Sequence, residues 1–281
     1  MTSMRSRGRL VATLLIALMS VLMNALLGVA ASGVARGQGL RGLEVVGTEF
    51  RLRLSDGSVV PRERLIGATL AFTEADGTST RLRIDAVEPD ARDPEVLLYR
   101  LSVPDADGGW RDYCGPDIEG KRLGFPLAGR WDEAGGLVAA APGAFTIACT
   151  SGAIGKCVRF GYKPWKAGPD GAPLDRHHQA CIRMVRADYC GDGEPHTRDG
   201  TLIDMYDRQG IQKTDYAPDL AFEAGWGVDG ATCVRHTRIP ELLTLEALGR
   251  LCPRLASRFG TACDEDAARR DPATLLFNRS R

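Results

Sequence analysis

The sequence predicts an α+β protein: an N-terminal antiparallel β-meander, forming a small sandwich or partial barrel, followed by a disulfide-stabilised α+β domain. Between Leu43 and Val103 apolar residues alternate with polar ones at period two, the pattern of half-buried strands. Beyond Phe145 strand-like runs mix with three- to four-residue helical spacing. Eight cysteines (Cys114, Cys149, Cys157, Cys181, Cys190, Cys233, Cys252, Cys263) fall in the later part of the chain, which favours a core held by disulfides.

The elements follow in order. Met1 to Arg9 is short and basic, Leu10 to Ala31 is largely apolar, and Val29-Ala30-Ala31 and Gly33-Val34-Ala35 supply small-x-small ends. These features read as a secretory signal peptide over residues 1–35. The alternative is an uncleaved anchor, since 22 apolar-rich residues suffice to span a bilayer. A β-rich domain is expected over residues 36–104. There Phe50, Leu52 and Leu54, then Ile66, Ala68, Leu70 and Phe72, then Leu82 and Ile84, then Leu97, Tyr99, Leu101 and Val103 each share one strand face. Asp56-Gly57 and Asp76-Gly77 are hairpin turns between them.

Residues 105–143 are rich in Gly and Pro and are expected to form an ordered connection anchored by Trp110, Cys114, Phe125 and Trp131. An α+β domain then runs over residues 144–240. Its predicted strands are Phe145 to Cys149, Lys156 to Tyr162, Thr201 to Tyr206 and Phe222 to Val234, the last turning at Asp229-Gly230. Asp175 to Tyr189 is its helix, because Ala180, Met184 and Ala187 recur on one side. Residues 241–281 hold a second helix, Leu242 to Leu255, and a tail.

The composition is that of an ordinary soluble domain, with 44 % hydrophobic and 26 % charged residues. With 36 basic and 36 acidic side chains there is no net pull toward nucleic acid, and none is expected as a partner. Membrane contact is expected only through the N-terminal segment if it stays uncleaved. Arginine outnumbers lysine 31 to 5, the bias of a GC-rich bacterial genome, so Asn278-Arg279-Ser280 is a glycosylation pattern in name alone. An even number of cysteines behind a signal peptide fits the periplasm or the secreted state. Spacing leaves 105 pairings open; the shortest loops would be Cys149–Cys157 and Cys252–Cys263.

Ala187-Asp188-Tyr189-Cys190, followed by Gly191-Asp192-Gly193 and Asp199-Gly200-Thr201, resembles the bacterial ADYC domain family, named for that tetrapeptide. Phe145-Thr146-Ile147-Ala148-Cys149, Gly155-Lys156-Cys157, Gly161-Tyr162-Lys163-Pro164-Trp165, Phe222-Glu223-Ala224-Gly225-Trp226 and Gly230-Ala231-Thr232-Cys233 are similar to it as well. The likeness runs from about Tyr99 to Arg238. It implies an exported bacterial domain of uncharacterised function and brings no catalytic residues with it.

The stretch from His177 to Asp207 gathers His177, His178, Asp188, Asp192, Glu194, His196, Asp199, Asp204 and Asp207. Asp192, Glu194 and Asp199 are candidate oxygen ligands for calcium, although their spacing departs from the EF-hand order. His177 and Cys181, one helical turn apart, are a candidate zinc pair if the thiol is free. Asp188 with Glu223 or Asp192 would form the two acids of a hydrolase. Against these stand plainer readings: surface histidines, turn-forming acids, and a His178→Ala change that is nearly silent. Thr150 to Cys157 imitates a P-loop but lacks its first Gly and its Ser or Thr after the Lys. Ser151 lacks the G-x-S-x-G elbow. Tyr162, Trp165, Tyr189, Tyr206, Tyr216 and Trp226 read first as core and second as a binding surface.

The expected function is a non-enzymatic exported module without a cofactor, which binds a partner or ligand in the cell envelope or outside it. The alternative is an envelope hydrolase, with or without a metal, using the segment Asp188 to Asp207.

Overall fold

The computed structural model describes residues 39–73, 78–132, 135–139, 143–215 and 217–281. The signal segment, the Asp76-Gly77 turn and Tyr216 lie outside the described residues. The fold is mixed α+β with antiparallel sheets, as the sequence pattern predicts. The described residues divide into two compact units: 39–114 with 124–128 and 143–147, and 115–123 with 129–139 and 148–281.

In the first unit β1 (Leu40–Val46) and β2 (Glu49–Leu54) form a hairpin closed by Gly47 and Thr48. Gly47 has φ 61°, a left-handed conformation that glycine adopts without the Cβ clash of other residues. The main sheet contains β3 (Thr69–Thr73), β4 (Ser79–Pro89), β5 (Leu97–Pro104), β6 (Trp110–Asp112) and β7 (Gly124–Ala128). Its last member is β10 (Phe145–Cys149); the short pair β8 (Arg130–Trp131) and β9 (Leu137–Ala139), earlier in the chain, falls in the second unit. The order is β10-β7-β5-β4-β3, with β6 added to β5.

The period-two pattern sends Phe50, Leu70, Phe72, Leu82, Ile84, Tyr99 and Leu101 into one core. There Phe50 meets Tyr99 and Phe145 edge-on at 5.5 and 5.4 Å, a favoured aromatic geometry. The Tyr99 hydroxyl accepts from the Phe50 amide, so its buried oxygen is satisfied. The expected connection over residues 105–143 therefore contributes β6 and β7 to a sheet. Of its four anchors Cys114, Phe125 and Trp131 are buried, whereas Trp110 faces solvent.

In the second unit α1 (Ala153–Arg159) and α2 (Asp175–Arg186) are joined by a disulfide from Cys157 to Cys181. The segment Lys156 to Tyr162, expected as a strand, is the end of α1 and a turn. A glycine permits this: a Cβ on Gly155 would stand 2.2 Å from the Cys149 carbonyl, so only glycine lets the helix start against that backbone.

A four-stranded sheet receives α2, in the order β11 (Asp204–Asp207), β14 (Leu276–Ser280), β12 (Ala221–Gly227), β13 (Gly230–Val234). The predicted second helix is shorter than its leucine pattern. Thr244 caps α3 (Leu245–Leu251) through its side-chain oxygen, and Pro253, which cannot continue the hydrogen-bond ladder, opens a 3-10 turn. The last helix is α4 (Glu265–Arg270), capped by Asp264. The sequence reading assigns no element to Leu276–Ser280, yet this segment is an inner strand paired to both β11 and β12.

All eight cysteines are oxidised. Cys190 bonds Cys252 and Cys233 bonds Cys263, so the expected loops Cys149–Cys157 and Cys252–Cys263 do not form. The bonds instead tie α1 to α2, and β13 to the chain before α4. Long loops are chosen because packing, not chain proximity, brings these sulfurs together.

Candidate functional site: a buried acid network around Asp188 and Glu223

The site begins where α2 ends. Ala187 adopts φ 50° and ψ 41°, the left-handed geometry that closes a helix. A non-glycine residue there costs on the order of 1–2 kcal/mol. Ala187 is the one non-glycine residue with positive φ among the described residues. Asp188 follows, fully buried. Its amide donates to the Arg183 carbonyl at 2.9 Å, and its carboxylate accepts from Arg183 Nη1 at 2.5 Å, Gly191 N at 2.8 Å and Gly193 N at 2.9 Å. The acid thereby holds both the end of the helix and the turn after it.

Tyr189 points into the unit and stacks on Trp226, with centroids 5.2 Å apart, and on His196. Its hydroxyl donates to Glu223 Oε1 at 2.9 Å and accepts from the Arg238 amide at 2.8 Å. Glu223, fully buried on β12, meets Arg238 through Nε at 3.0 Å and Nη2 at 3.1 Å. Asn278 of β14 donates to Glu223 Oε2 at 2.6 Å and accepts from Trp226 Nε1 at 2.7 Å. Arg238 also donates to the Met184 and Val185 carbonyls, satisfying the open end of α2.

Burial by itself would raise the Glu223 pKa, but Arg238 and the Asn278 amide outweigh it and hold the carboxyl below its ordinary value. Burial, with the Glu223 charge alongside, pushes the Tyr189 hydroxyl well above its ordinary value. Tyr189 therefore serves as a donor. Each buried polar group in this network has a partner, the condition for a polar core to be tolerated.

The sequence-predicted acids divide by task. Asp188 and Glu223 each sit inside a closed ion pair. Asp192, Glu194 and Asp199 lie exposed; Asp192 accepts from the Glu194 amide at 3.1 Å, and Asp199 lies 3.7 Å from Lys156. Asp204 receives Thr214 Oγ1 and the Asp215 amide, and Asp207 receives the Tyr162 hydroxyl at 2.8 Å with the amides of Gln209, Ile211 and Gln212. These are turn-building acids. Among the described residues no group of three or more His, Cys, Asp and Glu is placed to hold a metal.

The histidines differ from expectation. Cys181 is bonded to Cys157, so the proposed zinc pair with His177 lacks its thiolate. His177 is buried, stacked on Tyr162, with Nε2 3.2 Å from the Gln209 amide nitrogen. His178 is fully buried: its Nε2 lies 3.1 Å from the Ile154 carbonyl, and the Trp131 ring meets it edge-on at 4.7 Å. Burial pulls its pKa down to about 4. A nearly silent His178→Ala change does not fit that environment. Tyr162, Tyr189, Tyr206 and Trp226 are buried in the core, and Trp165 is half-buried. Sequence reasoning missed Arg238 and Asn278; the strand pattern of Phe222 to Val234 with a buried Glu in it was the one signal that such partners were needed.

The fold and its network define a disulfide-stabilised α+β module organised by the Ala187-Asp188-Tyr189-Cys190 turn. The sequence model of the ADYC domain family matches residues 62–240, and the chain belongs to that family. No curated protein and no solved structure matches the chain. The disulfides point to an oxidising extracellular or periplasmic setting. No helix of the described residues is long and apolar enough to cross a membrane.

Proposed function

We propose that this chain is an exported ADYC module without a catalytic role, which binds a partner or ligand in the cell envelope or outside it. The observation that carries the reading is the use made of its chemistry-bearing groups. Asp188, Glu223, Asp204, Asp207 and His178 are spent on internal partners rather than aimed at a solvent-facing cleft. An active site requires groups held ready for a reacting atom. Fully oxidised cysteines support export, because such bonds persist outside the reducing cytoplasm.

Cell fractionation with intact-mass analysis tests this. The expected result is protein in the periplasm or medium, with a mass shortened at Ala31 or Ala35 and no alkylatable thiol. Full-length protein with free thiols in the cytoplasm would overturn it.

A further inference from the structure

The solvent-facing side of the first unit's sheet carries a pattern that the core does not explain. Register places Arg83 opposite Ser102, Ser102 opposite Asp112, and Pro104 opposite Trp110. Since alternate residues share a face, Arg81, Arg83 and Asp85 of β4 lie on the same face as Trp110 and Asp112 of β6, across the intervening β5. Trp110 is 36 % exposed. Arg83 lies over it at 4.4 Å and Arg81 at 5.9 Å from the centroid. Arg83 is neutralised by Asp85 at 2.5 Å, and Arg100 by Asp112 at 3.0 Å. Arg81 makes no ion pair among the described residues; the ring is its contact.

We propose that this face binds a carboxylated polysaccharide of the uronate type, an assignment that rests on the binding-module reading above. The part of the Trp110 indole that Arg83 leaves open offers a flat apolar surface on which the CH face of a sugar packs. Arg81 supplies a planar fork whose geometry matches a carboxylate in two parallel hydrogen bonds. With Arg83 and Arg100 each already balanced by an aspartate, the described residues of the face leave one uncompensated positive charge. That matches the single carboxylate of one uronate ring and is too little to hold the denser phosphates of nucleic acid.

Affinity electrophoresis of the whole oxidised protein tests the assignment, in gels holding polygalacturonate, dextran or dextran sulfate. Polygalacturonate should retard the protein and dextran should not. Trp110→Ala and Arg81→Ala should each weaken the retardation by about tenfold, the first by losing a stacking surface and the second a charged hydrogen bond, while Ile118→Ser should match the parent. Arg81→Ala removes an exposed side chain, so an unchanged melt separates lost binding from lost folding. No retardation by polygalacturonate would overturn the proposal, as would equal retardation by dextran. So would retardation by dextran sulfate that ignores Trp110, or an Arg81→Ala variant that behaves like the parent. None of these results bears on fractionation, so failure here leaves the export reading separately decided.

Discussion

The Tyr189 hydroxyl and the Glu223 carboxylate, 2.9 Å apart and both fully buried, join the turn after α2 to the middle of a β-sheet. The tyrosine belongs to the tetrapeptide and the glutamate to a strand 34 residues later. With Arg238 they form a closed set, in which each charge depends on the other. Glu223→Ala leaves the Arg238 guanidinium buried without its partner, a loss of about 3–5 kcal/mol. Urea denaturation should show the midpoint falling accordingly. Replacing Glu223 and Arg238 together by apolar residues should recover much of that loss, because the stranded charge is then gone. A single variant with unchanged stability would contradict the network.

His178 gives the fold an acid limit. Its unfolded form takes a proton near pH 6.5 and the buried form only near about 4. Between those values the unfolded state binds more protons, so stability declines as pH falls from 6.5 to about 4 and the loss then levels off. The full effect is about 3 kcal/mol. His178→Gln keeps an N–H for the Ile154 carbonyl and cannot titrate, so it should flatten this slope. Glu223 acts lower: its depressed pKa gives stability present above the ordinary value of 4.5 and lost as pH falls through its folded value. Melts at several pH values for parent and variant separate the two.

Gly191 should tolerate no side chain. It has φ 77°, and a Cβ there would come within 2.2 Å of the Asp229 carbonyl oxygen. Backbone strain and backbone collision act together, so Gly191→Ala should cost more than the ~1 kcal/mol of a left-handed conformation alone. Gly57→Ala, at φ 85° with open space around it, should cost only that strain. Equal melting points for the two variants would sink the claim that the turn is pressed against the β12–β13 connection.

The exposed acids should behave as plain surface. Asp192→Ala, Glu194→Ala and Asp199→Ala should each change stability by less than about 0.5 kcal/mol. Calcium titration of the parent, followed by its melt, reads whether the loop recruits a cation: a rise in melting temperature lost in Asp192→Ala would make these residues a site.

Much of the fold was legible where one face of an element is buried and the other is not. The alternation at Phe50, Leu52, Leu70, Phe72, Leu82 and Ile84 marked strands because small or polar neighbours separate them. The α2 helix showed through Ala180 and Met184. Leu276–Ser280 gave no such signal, since Leu276, Phe277, Asn278 and Ser280 are all buried and two of them are polar. An inner strand beside a charged core reads as an unpatterned tail. Helix α1 was hidden for a different reason: its first turn depends on a contact between Gly155 and Cys149, which sequence periodicity does not record. For the site, the tetrapeptide and Glu223 were visible, but Arg238 and Asn278 enter from other elements, and only tertiary packing joins them. Short-loop cysteine pairing failed likewise, because loop entropy ranks the pairs weakly and geometry decides.

Non-reducing peptide mapping of the alkylated protein reads this packing, since the network is closed by the same contacts that align the sulfurs. The expected result is no alkylated cysteine and linked peptides joining Cys157 with Cys181, Cys190 with Cys252 and Cys233 with Cys263. Free thiols at any of these positions, or a peptide joining Cys252 to Cys263, would contradict it.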